Sequence, residues 1–318
     1  MAVRLRSALT IPLVGAGGEP VSLRGTLGSH GLAWLPPNEM GSEERSLRTT
    51  LRLADGTART VTLFEDSRGV LGVAVPGPRL RARASAEIVA AVRAMFALDD
   101  DLGPFYRRIS GDPDFAFAAE GGIGRLLRSP TAFEDVVRTI CTTNCTWAAT
   151  ERMNAAFVEH LGARAHDAPA TGWQGRAFPT PSAMAEAPEA FYRDVARAGY
   201  RGAYFRAVAR MVAGGEIDLE AWRAAPRSEL PDAEIERRLL ELPGVGPYAA
   251  AHAMMLFGRS SRLILDSWTR PRYALLKGKK KIADRTIQRN FRRYGDDAGL
   301  AFWLYLWKSR HTGEEPRA

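Results

Sequence analysis

Between residues 49 and 75 the chain carries three short strand-like runs, 49–54, 59–64 and 70–75. They are divided by the turn-forming pairs Asp55-Gly56 and Glu65-Asp66 and closed by Pro76 and Pro78. Residues 1 to about 80 therefore read as a small antiparallel sheet domain. From Ser85 onward the apolar period lengthens. Ile88, Val89, Val92 and Met95 recur at three- and four-residue spacing, as do Phe133, Val136, Val137 and Ile140, and each set makes one face of a helix. Helix starts are marked by Ser129-Pro130, by Pro179 and Pro181, and by Pro231-Asp232. Residues 163–181 read as a surface loop, 298–307 as a strongly apolar helix and 312–318 as a frayed end. The pattern gives an α+β chain with its strands first and its helices after.

Composition narrows the classes. The 318 residues suffice for two or three domains, and 46% hydrophobic with 25% charged residues is ordinary for a folded chain. Two cysteines, Cys141 and Cys145, are too few for a disulfide scaffold, a four-thiolate zinc site or a four-cysteine iron–sulfur cluster. No apolar run approaches the ~20 residues of a membrane span. The first 18 residues hold an apolar stretch broken at Pro12 and no convincing cleavage site, so a cytoplasmic protein is expected.

The net charge of +8 is unevenly spread. Residues 262–293 hold eleven Lys and Arg against Asp266 and Asp284, a net of +9 that leaves the remainder of the chain at −1. Such a tract, which includes Arg270, Lys279 and Lys280, fits a polyanion such as nucleic acid, or else a solvated helix face.

The string Leu239-Leu240-Glu241-Leu242-Pro243-Gly244-Val245-Gly246-Pro247-Tyr248-Ala249-Ala250 predicts a tight hairpin between two helices. Gly244 and Gly246 let the backbone turn sharply and approach a ligand, and the second helix then opens with free N–H groups and a positive dipole end. An ordinary glycine-capped connection would look similar. Twenty residues after Gly246, Asp266 follows the apolar run Leu263-Ile264-Leu265. A carboxylate in that position is either the N-cap of the next helix or a functional group.

Together the hairpin string and Asp266 resemble the helix-hairpin-helix superfamily of base-excision DNA glycosylases, in its 8-oxoguanine and 3-methyladenine branch. The resemblance implies an N-terminal antiparallel β-rich domain over 1–84 and a two-subdomain all-helical region. One subdomain would comprise 85–125 and 240–318, the other 126–239, leading into the hairpin at 239–253. It implies that Asp266 is catalytic, that Gly244, Val245 and Gly246 grip the DNA backbone, and that the carbonyls of Leu240, Leu242 and Val245 hold a structural Na+ or K+. The segment from Phe105-Tyr106 to Cys141-Thr142-Thr143-Asn144 is similar to the approach to the oxoguanine enzymes' Cys-Ser-Ser-Asn, and Gly199-Tyr200-Arg201 to their Tyr-Arg pair. Tyr200 would then wedge into the duplex while Asn144 and Arg201 contact the orphaned cytosine.

The departures matter as much. Bifunctional members carry a Schiff-base lysine where this chain has Tyr248, and the first lysine anywhere is Lys277. A monofunctional hydrolase without lyase chemistry is therefore expected, requiring no cofactor and no iron–sulfur cluster. Tyr248, His252, Trp268, Phe302 and Trp303 are the expected base pocket, with Phe302 and Leu306 at the positions where the oxoguanine enzymes read their base. The expected partner is double-stranded DNA holding a damaged purine, alkylated or oxidised, met by a monomer associated with the nucleoid. The rival reading is a non-catalytic helix-hairpin-helix DNA-binding protein.

Overall fold

The computed structural model describes residues 6–166 and 168–312. Five antiparallel strands, β1 (Leu9–Pro12), β2 (Glu39–Met40), β3 (Ser46–Arg52), β4 (Ala58–Ser67) and β5 (Val70–Ala74), form one sheet in the order β1-β5-β4-β3-β2. The three expected runs are its β3, β4 and β5. The apolar stretch ahead of Pro12 is its edge strand, where the missing N–H of proline costs no ladder bond. Register follows burial: Leu47 faces Leu63, Leu63 faces Val73, and all three are fully buried.

The helix Ala82–Met95 lies against this sheet, and its Ile88, Val92 and Met95 join Val61, Leu63 and Val73 in one apolar cluster. That placement corrects the expected boundary at residue 84. The first long helix completes the sheet's core, because a sheet with one apolar face needs a second layer.

Two further large clusters lie among the described helices. The first joins Ala132–Cys141, Trp147–Leu161 and Arg201–Ala213 to the hairpin's first helix, Asp232–Leu240. The second gathers Phe105, Tyr106, Tyr273, Phe291 and the helix Ala298–Thr312. The hairpin's second helix, Pro247–Leu256, contributes Ala249, Ala250 and Ala253 to one cluster and Ala251, Met255 and Leu256 to the other. A helix apolar all round is buried on every side, and small residues let its neighbours close in. The loop expected over 163–181 is irregular, tied by isolated bridges such as Arg164 to Arg176, and the helix Pro181–Glu186 starts where its proline predicts. The tail beyond residue 312, expected to fray, lies outside the described residues, as do residues 1–5. No described helix is long and apolar enough to cross a membrane.

The segment after the short helix Leu23–Leu27 is pinned between the layers. Trp303 Nε1 donates to the Ser29 carbonyl at 2.9 Å, and His30 Nε2 to the Leu127 carbonyl at 2.7 Å. This brings a piece of the sheet domain beneath the hairpin.

Candidate active site and nucleic-acid interface

The hairpin forms as its glycines require. Gly244 sits at φ +84°, and a Cβ there would stand 2.7 Å from a ring carbon of Tyr204, so both the conformation and the close approach exclude a side chain. Gly246, at φ −97°, precedes the second helix and has nothing within 4 Å of a Cβ position. Its N–H and that of Tyr248 meet no acceptor among the described residues, and they open toward that free space. Free N–H groups at a helix start are the kind of donors that can bind an anion.

One face continues from the hairpin. Tyr204, packed on Gly244, touches Tyr200 with ring centroids 5.7 Å apart, and Tyr200 is 56% exposed. Arg201 lies against the Tyr200 ring at 4.6 Å. Arg201 is itself buried: its Nε donates to the Thr143 carbonyl at 2.8 Å and its Nη2 to the carbonyls of Thr143 and Asn144, the latter at 2.7 Å. These bonds hold the turn carrying Asn144, which is exposed and adopts a left-handed φ of 47° that asparagine tolerates better than most residues. Thr142, on the same turn, shares a 3.1 Å hydrogen bond with the Tyr248 hydroxyl. Asn144, Tyr200, Arg201, Gly244 and Tyr248 thus stand together, although the sequence spreads them over more than a hundred residues.

Asp266 is held by local hydrogen bonds. Its Oδ1 accepts from the N–H groups of Trp268 at 2.9 Å and Thr269 at 2.7 Å, while its own N–H donates to Thr269 Oγ1 at 2.8 Å. These reciprocal bonds, of capping-box type, lie immediately ahead of the helix Thr269–Leu276 and anchor one carboxylate oxygen. Oδ2 keeps no hydrogen bond among the described residues and is free for another task.

Aromatic rings extend from there. Trp268 is half-exposed and lies 5.9 Å from Trp303 and 5.5 Å from Trp307, while Trp303 lies 6.1 Å from His252 and His252 5.9 Å from Tyr248. Burial pushes the Tyr248 hydroxyl up to about 12 and holds the His252 imidazole down at about 4, so both are uncharged near neutral pH. Phe302 is not part of this set. Its ring is fully buried between Tyr273, at 5.8 Å, and Phe291, at 5.2 Å, because consecutive helix positions face different sides and Trp303 takes the inner one. Leu306 is core as well.

The basic tract is also narrower than its count. Arg270 forms a two-point ion pair with Asp284 at 2.7 and 2.9 Å, Arg262 pairs with Glu236 and Arg293 with Asp112, and Lys277 caps the Tyr305 ring. Arg270 is thus engaged within the protein, with its side chain still partly exposed. Among the described residues Lys279, Lys280, Lys281, Arg285, Arg289 and Arg292 make no ion pair and remain exposed. Lys280 and Lys281 share a groove with Asp266 and Ser267. Asp266 shares its groove with Arg270 as well as with the two lysines.

The sequence reading missed His30, Tyr204, Trp307 and Thr142. Thr142 lies within the Cys141-Thr142-Thr143-Asn144 motif but is given no role of its own there, and the other three reach the site through tertiary contacts.

The chain shares its fold with solved DNA-glycosylase structures, in keeping with the resemblance read from the hairpin and Asp266. It is 27% identical over 173 residues to a DNA-3-methyladenine glycosylase of Bacillus subtilis (strain 168), a match over 53% of this chain and 54% of that protein. The chain thus matches about half the length of this curated relative. Among solved structures, the 3-methyladenine DNA-glycosylase of Archaeoglobus fulgidus superposes with a TM-score of 0.70 at 19% identity, over 94% of this chain and 98% of its own. MBOgg1, in complex with a low-affinity DNA ligand, gives 0.71 at 20% identity, over 99% and 100%. No family model matches the chain.

Proposed function

We propose that the protein is a monofunctional DNA glycosylase that flips a damaged purine out of duplex DNA and hydrolyses its N-glycosidic bond. One observation carries this reading: Asp266 is anchored through one oxygen with the other left open, two residues before an aromatic series that runs to Tyr248 of the hairpin.

The C1′–N bond breaks through a sugar with oxocarbenium character. The bond's electron pair leaves with the base, and a fixed carboxylate stabilises the positive charge left on the sugar. Asp266 Oδ2 also orients the water that adds to C1′ and accepts its proton. Tyr248, Trp268 and Trp303 stack on the extruded base. An alkylated purine is favoured, since a cationic leaving base needs no acid and the neutral His252 is a poor one. The Gly246 and Tyr248 N–H groups and the free lysines hold the backbone. Tyr200 fills the gap in the stack. Arg201, with its Nη1 uncommitted, and Asn144 meet the orphaned base. The carbonyls of Leu240 and Val245 accept no hydrogen bond among the described residues, and that of Leu242 accepts one, from the Val245 N–H at 3.1 Å. That donor set fits a Na+ or K+, which would neutralise phosphate charge at the hairpin. The enzyme acts as a monomer.

The test is a screen of duplexes carrying N-alkylpurines, 8-oxoguanine or deaminated bases. Base release is expected for at least one damaged purine. With Tyr248 in place of a Schiff-base lysine, strands break only after hot alkali and borohydride traps no covalent complex; a trapped adduct would reject the monofunctional reading. Binding without release of any base would leave the non-catalytic alternative.

A second expectation concerns the opposite base. The donors of Arg201 suit the N3 and O2 acceptors of cytosine, and Asn144 can accept from its amino group. Release opposite cytosine is expected to be about tenfold faster than opposite adenine, the scale of one good base contact. Single-turnover rates that are equal opposite all four bases would remove these two residues from the role.

A further inference from the structure

Three imidazole nitrogens lie buried beneath the aromatic set with nothing to bond. His252 Nδ1 and Nε2 have no partner among the described residues, and neither has His30 Nδ1. The two rings face each other edge-on with centroids 5.9 Å apart, and Tyr248 meets His252 from the other side at the same distance. His30 comes from the sheet domain and is 2% exposed; His252 is 5% exposed.

The geometry fixes what His30 can offer. Its Nε2 is 2.7 Å from the Leu127 carbonyl, and a carbonyl only accepts, so the proton is on Nε2. Nδ1 is then a lone-pair acceptor. Burial, then the neighbouring His252 and Arg138, hold the ring neutral down to about pH 3. The Nη1 and Nη2 groups of Arg138 are taken up by Glu134 and the carbonyls of Leu32 and Pro36, and its Nε is left without a partner among the described residues. Neutral His252 adds one donor and one acceptor.

Leaving such groups unpaired costs about 1–3 kcal/mol each, and here three of them are gathered on two facing rings beside Tyr248, where one flat ligand could satisfy them together. We propose that His30 and His252 form the hydrogen-bonding floor of the base pocket, with His30 Nδ1 accepting from the edge of the extruded purine, so that His30 is a specificity-determining residue supplied by the sheet domain. The inference rests on the glycosylase reading above and extends it to a recognition mode. The aromatic rings take any flat base, whereas the floor takes one that presents a donor.

The experiment uses 7-methylguanine, 7-methylhypoxanthine (which lacks the 2-amino group) and 7-methyl-2-aminopurine (which lacks the 6-oxygen and the ring N–H), each in the same duplex. Wild-type protein is expected to lose about tenfold or more in single-turnover release on at least one of the deletions, the scale set by a buried group left unpaired. His30→Phe keeps a flat ring and removes Nδ1, along with the Nε2 bond to Leu127; it is expected to flatten the three rates to within about twofold of one another, because the group that told the bases apart is gone. If the wild type shows no preference, or if His30→Phe slows all three equally with the preference intact, the inference is wrong.

A second measurement needs neither turnover nor the His30 variant. Asp266→Asn protein is titrated with the 7-methylguanine duplex and with a duplex carrying a tetrahydrofuran abasic analogue, and the imidazole 15N resonances of His30 and His252 are followed. Shifts specific to the base-bearing duplex are expected, and identical spectra would overturn the proposal. Should the wild type release no base from any lesion, the glycosylase reading fails on its own, while the 15N comparison still decides whether the floor touches a base.

Discussion

Asp266→Asn is expected to abolish base release while leaving the protein folded and bound to DNA. The cap explains why the two effects separate. Asn Oδ1 accepts from the Trp268 and Thr269 N–H groups as Asp Oδ1 does, and asparagine and aspartate are near-equal N-caps, so stability should hold within about 0.5 kcal/mol. The change falls on the second oxygen, which becomes an uncharged amide. It can neither accept a proton from water nor balance the charge that grows on the sugar. A loss of at least about a hundredfold in single-turnover release is expected, the scale on which one fixed electrostatic partner acts in a transition state. Affinity for a duplex with an abasic analogue should stay within about threefold, or tighten as one carboxylate leaves the phosphate's surroundings. Release at the wild-type rate would place the chemistry elsewhere.

The hairpin glycines should respond to alanine in opposite ways. At Gly244 the φ of +84° strains any side chain, and the new Cβ would lie 2.7 Å from the Tyr204 ring and 3.2 Å from Ile140. The conformational and overpacking costs together come to about 2–4 kcal/mol, read as a fall in the thermal midpoint of about 5 °C or more. Since the Tyr204 ring packs on that of Tyr200, Tyr200 should shift with it. At Gly246 the φ of −97° is ordinary and nothing stands within 4 Å, so alanine should leave the melting curve where it was. Its methyl group would nonetheless occupy the space through which a phosphate reaches the N–H groups. Anisotropy titrations at one fixed salt concentration should show affinity weakened about tenfold or more, the worth of a charge-assisted hydrogen bond. Wild-type affinity in Gly246→Ala would mean that the hairpin does not meet the backbone there.

Local chemistry made part of this readable. The hairpin needs no partner to declare itself, because Gly244 is one of the few residues that can occupy its position, and Pro247 opens a helix wherever it stands at the first turn. The cap at Asp266 is equally local, closing through residues 268 and 269. Strands β3 to β5 and the major helices follow from short-range periodicity. The first long helix was assigned to the wrong layer for the opposite reason: its apolar face is legible in the sequence, but what that face covers is not.

The amino-acid sequence by itself thus determined the order of strands and helices, the hairpin, the missing lysine at Tyr248 and the aspartate, all set by conformational preferences within a few residues. Tertiary structure alone decided which side chains share the site. It set Phe302 against Phe291 and Trp303 against Trp268, joined Arg270 to Asp284, and carried His30 from the sheet domain to within 5.9 Å of His252. These outcomes depend on contacts between residues far apart in the chain, and no local pattern encodes which charge finds its partner or which ring is left facing an open space.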